Sequence, residues 1–205
     1  MGDKTLMAYI KIIGKPVFTT RELSAVSGKS QSTVSQGLTF LRDQGLVFKI
    51  YHGIWQEGKG GPSPYSIIPY IFPRQRAYVS FTSALHLYGI IEQIPQTITV
   101  ASVSHSKEIS TNSGVFLAHQ INPSFFKGFI WYKNQGDFLI AEPEKALADC
   151  FYISGFRKKQ FSHFPELYFS KKFNFDRVKY WIKEIKNPKI AVHALKRLES
   201  IMDKV

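Results

Sequence analysis

Thr19-Thr20-Arg21-Glu22-Leu23-Ser24-Ala25-Val26-Ser27-Gly28-Lys29-Ser30-Gln31-Ser32-Thr33-Val34-Ser35-Gln36-Gly37-Leu38-Thr39-Phe40-Leu41-Arg42-Asp43-Gln44-Gly45 decides the fold. Thr19 and Glu22 fit a capping box, with Thr19 as N-cap and Glu22 reaching back. Leu23, Val26 and the preceding Phe18 supply an apolar face. Ser27-Gly28-Lys29 reads as a tight turn, because Gly28 accepts a left-handed backbone. Ser30 is the next N-cap, and a second helix is expected from Gln31 to about Gln44. Its apolar positions Val34, Leu38 and Leu41 make one buried stripe. Gln31, Ser32, Ser35, Gln36, Thr39 and Arg42 lie on the opposite face, and Gly45 ends the helix.

On the N-terminal side, Leu6, Tyr9, Ile10 and Ile13 recur at helical spacing until Gly14 and Pro16 stop them. Val17-Phe18 is short and extended. On the C-terminal side, 46–51 and 54–56 read as two strands joined by His52-Gly53. Helix, short helix, three-residue turn, longer helix and small hairpin is the order of a winged helix-turn-helix. A major groove about 12 Å wide admits one helix, and short polar side chains near its start let backbone and bases approach. Gln31, Ser32, Thr33, Ser35 and Gln36 meet that need, with Ser30 and Thr39 beside them. Lys29 and Arg42 flank them as phosphate contacts, and Lys49 and His52 sit near the wing tip. Double-stranded DNA is therefore the expected partner. Polar faces also occur on solvated helices, so a winged helix retained only for protein contact is the alternative.

The chain has 205 residues, 44% of them apolar and 15% aromatic, which is enough for a substantial core. The formal net charge is +12 and the pI about 9.7, which favours a polyanionic partner. Residues 157–205 hold thirteen basic residues against five acidic ones. Cys150 is the one cysteine, which excludes an internal disulfide framework and a cysteine-rich zinc site. No membrane span is expected, and Met1-Gly2-Asp3-Lys4-Thr5 lacks the pattern of a signal peptide, so a cytoplasmic protein is the default.

The glycine- and proline-dense stretch 58–73 is read as a break in which nothing regular runs. The expected organisation is α+β: a winged helix-turn-helix over 1–58, a linker over 59–75, and a larger mixed α/β domain over 76–205 with a helical C-terminus. In that domain, Ser80 is placed as the cap of a short helix ended by Gly89. Strands are expected over 97–101, 115–121, 129–132 and 138–140, and 104–113 is read as an exposed connection. Pro143 opens a helix to about Ser154, and two more helices follow, from 174 or 176 to 185 and from 191 to 202.

Chemistry in the second domain is sparse. No histidine pair stands at ligand spacing and no phosphate-binding glycine loop exists, so neither metal nor cofactor is expected. Glu142, Glu144, Lys145 and Asp149 form the one dense ionisable cluster. Lys145 and Asp149 stand at i and i+4, which reads as a helix-surface ion pair. An enzyme acting on nucleic acid would need the three acids to converge. The aromatics Phe161, Phe164, Tyr168, Phe169, Phe173 and Phe175 interleave with Lys158, Lys159, Lys171 and Lys172. These lysines form either a solvated face or a second basic surface for nucleic acid or a partner.

Two segments resemble the abortive-infection AbiE-type antitoxin family, the transcriptional-regulator half of type IV toxin–antitoxin pairs. They are Tyr78-Val79-Ser80-Phe81-Thr82-Ser83-Ala84-Leu85, continuing to Tyr88-Gly89 and Gln93-Ile94-Pro95, and Ala141-Glu142-Pro143-Glu144-Lys145-Ala146-Leu147-Ala148-Asp149. The resemblance implies a winged helix that binds inverted repeats in its own promoter and represses. It also implies a second domain that counters a nucleotidyltransferase-like toxin, with or without a direct complex. It transfers no catalytic residue. The alternatives are a stand-alone regulator and a protein-interaction module whose DNA binding is non-specific.

Overall fold

Gly14 and Gly28 each close a helix by entering the left-handed region, at φ 64° and 70°, and the order of elements follows from such stops. The computed structural model describes residues 4–58, 63–73, 77–132, 138–156, 161 and 163–203. The chain divides into two compact units, Met1–Pro73 with Thr111–Gly114 and Arg74–Ser110 with Val115–Val205. The architecture is α+β: a helix-turn-helix with a small sheet, then a larger mixed α/β unit with a helical C-terminus.

In the first unit, α1 (Leu6–Ile13), β1 (Val17–Thr19), α2 (Thr20–Ser27), α3 (Gln31–Asp43), β2 (Val47–Tyr51) and β3 (Ile54–Glu57) follow one another. The strands form an antiparallel sheet in the order β1-β3-β2. The core is Ile10, Phe18, Leu23, Val34, Leu38, Leu41, Val47 and Trp55. The indole Nε1 of Trp55 donates to Thr20 Oγ1 at 3.0 Å, so the one polar atom of that ring is satisfied inside the core. Gly37 lets α1 approach, since a Cβ there would lie 2.1 Å from Leu6 Cδ1.

Part of the stretch expected to be irregular is regular. Pro64–Ile67 is a 3-10 turn and Ile68–Ile71 is a short helix, α4. Ile67, Ile68, Ile71 and Phe72 are buried, and Tyr70 Oη donates to the Val17 carbonyl at 3.0 Å. The prolines do not prevent this, because Pro64 and Pro69 occupy first-turn positions where no amide donor is needed.

The second unit is built on a six-stranded mixed sheet in the order β6-β7-β5-β4-β9-β8. Its strands are β4 (Ala77–Val79), β5 (Ile98–Ser102), β6 (Lys107–Thr111), β7 (Gly114–Gln120), β8 (Phe129–Tyr132) and β9 (Phe138–Ala141). β4 pairs antiparallel with β5 and parallel with β9. β6 lies within the stretch expected to be an exposed connection. Its helices are α5 (Phe81–Leu87), α6 (Pro143–Phe156), α7 (Phe175–Lys183) and α8 (Pro188–Met202). α6 is buried at every position from Glu144 to Ser154 and packs against α5, α7 and α8. Among the described residues, no helix is long and apolar enough to cross a membrane.

Two sequence expectations in this unit are corrected. Lys145 and Asp149 are not a surface pair, since both side chains are wholly buried and in contact. α6 is surrounded by other elements, so the face that carries them is covered. Ser80 does not cap α5 with its side chain; its hydroxyl donates to Asp149 Oδ2 at 2.7 Å instead. Phe81, next in the chain, takes a left-handed φ of 57° and stacks on Phe161, with ring centroids 5.1 Å apart and planes 6° apart.

Candidate nucleic-acid interface

The capping box before α2 is present in full: Thr19 Oγ1 accepts from the Glu22 amide at 3.0 Å, and Glu22 Oε2 accepts from the Thr19 amide at 2.8 Å. It starts α2 at a fixed point, and Gly28 ends it three residues before α3. Ser24 Oγ donates to the Lys29 carbonyl at 2.7 Å, which ties the turn to α2. α3 is thereby presented with its stripe Val34, Leu38 and Leu41 inward.

Gln31, Ser32, Thr33, Ser35, Gln36, Thr39 and Arg42 are all exposed. Helical spacing brings Ser32, Gln36 and Thr39 to one outward face, with Gln31, Ser35 and Arg42 along its edge. Not all of them are equally available. Ser30 Oγ caps the Thr33 amide at 3.1 Å and lies 2.9 Å from Thr33 Oγ1, so these two hydroxyls serve the helix start. Thr39 Oγ1 donates to the Ser35 carbonyl at 3.0 Å. Arg42 holds Asp43 Oδ1 through both Nε and a terminal nitrogen, at 3.0 and 2.8 Å. Ser32 and Gln36 are exposed on that face.

In the wing, β2 and β3 are joined by His52 and Gly53, with Gly53 at φ 69°. Lys49 and His52 are exposed. Lys49 Nζ lies 5.8 Å from the centre of the Trp55 ring, and the His52 ring sits edge-on to Tyr51 at 5.0 Å. Lys29 is half-buried in the turn ahead of α3. Two exposed side chains were missed from the sequence. Arg21 stands exposed in the first turn of α2. Phe40 is 63% exposed on α3, an apolar ring outside the periodic stripe. Its exposure was legible, since it breaks the spacing of Val34, Leu38 and Leu41.

The second basic surface is only partly placed. Lys171 and Lys172 are exposed in the segment before α7, while Lys158 and Lys159 lie outside the described residues. Glu142, Glu144 and Asp149 do not converge on one site. Glu142 is held by Arg177 through two nitrogens at 2.6 to 3.0 Å. Glu144 Oε1 accepts from the Asn174 amide at 3.0 Å. Asp149 receives Lys145, Ser80 and Tyr78, the last at 3.0 Å. Burial pushes the Lys145 ammonium down and the Asp149 carboxyl up, and each is opposed by the other's charge. Burial also pushes the Cys150 thiol well up, which leaves it an inert core group.

Residues 16–49 match the family described as bacterial regulatory protein, arsR family. The match covers the helix-turn-helix and the start of the wing, and none of the second unit. No curated protein matches the chain.

Proposed function

We propose that this chain is a DNA-binding transcriptional regulator that lays α3 in a major groove and sets the β2–β3 wing on the flanking backbone. The observation that carries this reading is the outward polar face of α3 behind a short glycine turn, in a segment that matches a family of bacterial regulators. Ser32 and Gln36 read base edges, and Lys29, Arg42, Lys49 and Arg21 meet phosphates. Thr33 and Ser30 act indirectly, by fixing where the helix begins. A gel-shift titration with the DNA upstream of the gene tests this. The double change Ser32→Ala and Gln36→Ala should weaken specific binding at least tenfold, at about 1–3 kcal/mol for each good base contact. Non-specific binding should hardly change. Undiminished specific binding by the double variant removes α3 from the readout.

The finer reading is an autorepressor at promoter inverted repeats that also serves as antitoxin to a nucleotidyltransferase-like toxin. It is supported by the resemblance of 78–95 and 141–149 to AbiE-type antitoxins. Co-expression with a neighbouring nucleotidyltransferase-like gene tests it: growth restored by the full chain supports the reading, and growth arrest despite full expression removes it.

A further inference from the structure

β2 is an outer strand of the first unit's sheet, so one of its edges has no partner within that sheet. It also carries a bulge. Lys49 stands opposite Trp55 and Tyr51 opposite Ile54, which leaves Ile50 as an extra residue just before the wing tip. In a regular strand successive carbonyls point to opposite edges. Here the Lys49 and Ile50 carbonyls both accept from one residue, Asn112. The first takes its side-chain amide at 2.8 Å, and the second takes its backbone amide at 3.1 Å.

Asn112 is 63 residues from Lys49 and outside the stretch 16–49 that matches the regulator family. It sits in the turn between β6 and β7, and the segment Thr111–Gly114 belongs to the first unit. The turn is braced within itself. The Ser113 amide donates to Thr111 Oγ1 at 3.1 Å, and Thr111 Oγ1 donates to the Gly114 carbonyl at 2.9 Å. A braced turn is a fixed anchor for a bulged strand. Arg42 at the end of α3, Lys49, Gln56, Asn112 and Ser113 line one cleft of about 610 Å³. The turn therefore lies beside two of the cations that the duplex reading assigns to phosphates.

A bulge bends its strand and adds twist, so its position decides where the neighbouring side chains point. The Ile50 side chain is buried, and the two bonds from Asn112 hold the backbone on the other side. Lys49 and His52, before and after the bulge, are exposed. We propose that Asn112 is a positioning residue of the DNA interface, fixing the bulge in β2 so that Lys49 meets a backbone phosphate. The inference deepens the α3 reading and rests on it.

Gel-shift titrations of the full chain with the upstream DNA, over a series of salt concentrations, test it. Lys49→Gln should weaken binding and lower the slope of log affinity against log salt by about one, the mark of one lost phosphate contact. Asn112→Ala should weaken binding about three- to tenfold, the worth of one hydrogen bond, and should lower the same slope. In a Lys49→Gln background, Asn112→Ala should cost nothing further. A role in stability alone would leave the salt slope unchanged and make the loss equal with and without Lys49. Either result overturns the proposal, and so does unchanged affinity in Asn112→Ala. The double change Ser32→Ala and Gln36→Ala is run on the same DNA. Binding that needs Ser32 and Gln36 but ignores Asn112 removes the wing inference alone. Absence of any sequence preference in the unsubstituted chain removes the α3 reading and this inference with it.

Discussion

Lys145 and Asp149 show how far four residues of spacing can mislead. On an isolated helix, i and i+4 charges of opposite sign sit side by side in water and contribute a few tenths of a kcal/mol. Here neither side chain reaches water. Lys145 Nζ also lies 3.0 Å from Tyr78 Oη and 3.8 Å from the centre of the Phe125 ring. Asp149 takes two hydroxyls, from Tyr78 and Ser80. One ion pair therefore ties α6 to β4 and to the start of α5. Removing one partner strands the other's charge. Lys145→Met should destabilise the protein by about 3–5 kcal/mol, as for other broken buried pairs. Lys145→Met with Asp149→Leu should cost less than the sum of the two single changes, because the pair is lost together. Urea denaturation of the three variants checks this, and additive losses would show that the two charges act independently.

At the scale of elements, local signals carried the reading wherever a cap or a glycine marks a boundary. Thr19, Gly28 and Ser30 were legible because each does its work within three residues. The capping box is both visible in the sequence and formed in the fold, and it has a testable pH signature. Burial pulls the Glu22 carboxyl upward, but bonds from the Thr19 amide, the Thr19 hydroxyl and Lys15 outweigh it, and its pKa lies below the ordinary 4.5. A carboxyl lowered on folding adds stability above its unfolded pKa and loses it as the pH falls through the folded one. The contribution of this cap should therefore fade below about pH 4.5. Thr19→Ala should cost about 1 kcal/mol at pH 7. Glu22→Gln should lower stability at pH 7 and flatten the acid limb, and an unchanged limb in thermal melts from pH 7 to pH 3 would count against it. What could not be read depended on distant partners. β6 hides in a polar stretch because only Ile109 of its five residues is buried. Ser80 looks like a cap because the carboxylate that claims its hydroxyl is 69 residues away. Within α3 the outward face was legible from periodicity, but the Arg42–Asp43 contact and the service of Ser30 and Thr33 to the helix start set which members are available.

For the whole molecule, the placement of the boundary between units is the part that composition describes least well. Glycines and prolines over 58–73 read as a break, yet four apolar side chains among them are buried. The first unit extends to Pro73, with Thr111–Gly114 joining it from later in the chain. Prolines punctuate a chain without preventing its apolar neighbours from packing, and Ile67, Ile68, Ile71 and Phe72 are buried. A fragment ending at residue 60 would leave that surface of the unit uncovered and forfeit the bond from Tyr70 to Val17. Burying an aliphatic or aromatic side chain is worth about 1.5–3 kcal/mol, so even partial burial of four is large beside the stability of a small domain. The fragment 1–73 should therefore melt cooperatively, and 1–60 should melt at a markedly lower temperature or without a transition. Tyr70→Phe in the full chain should cost about 1 kcal/mol, the net worth of one hydrogen bond. Equal melting of the two fragments by circular dichroism would show that 63–73 adds nothing to the unit. Operator binding by 1–73 with the full chain's sequence preference would then assign specificity to the first unit. A preference that appears only in the full chain would assign part of it to the second.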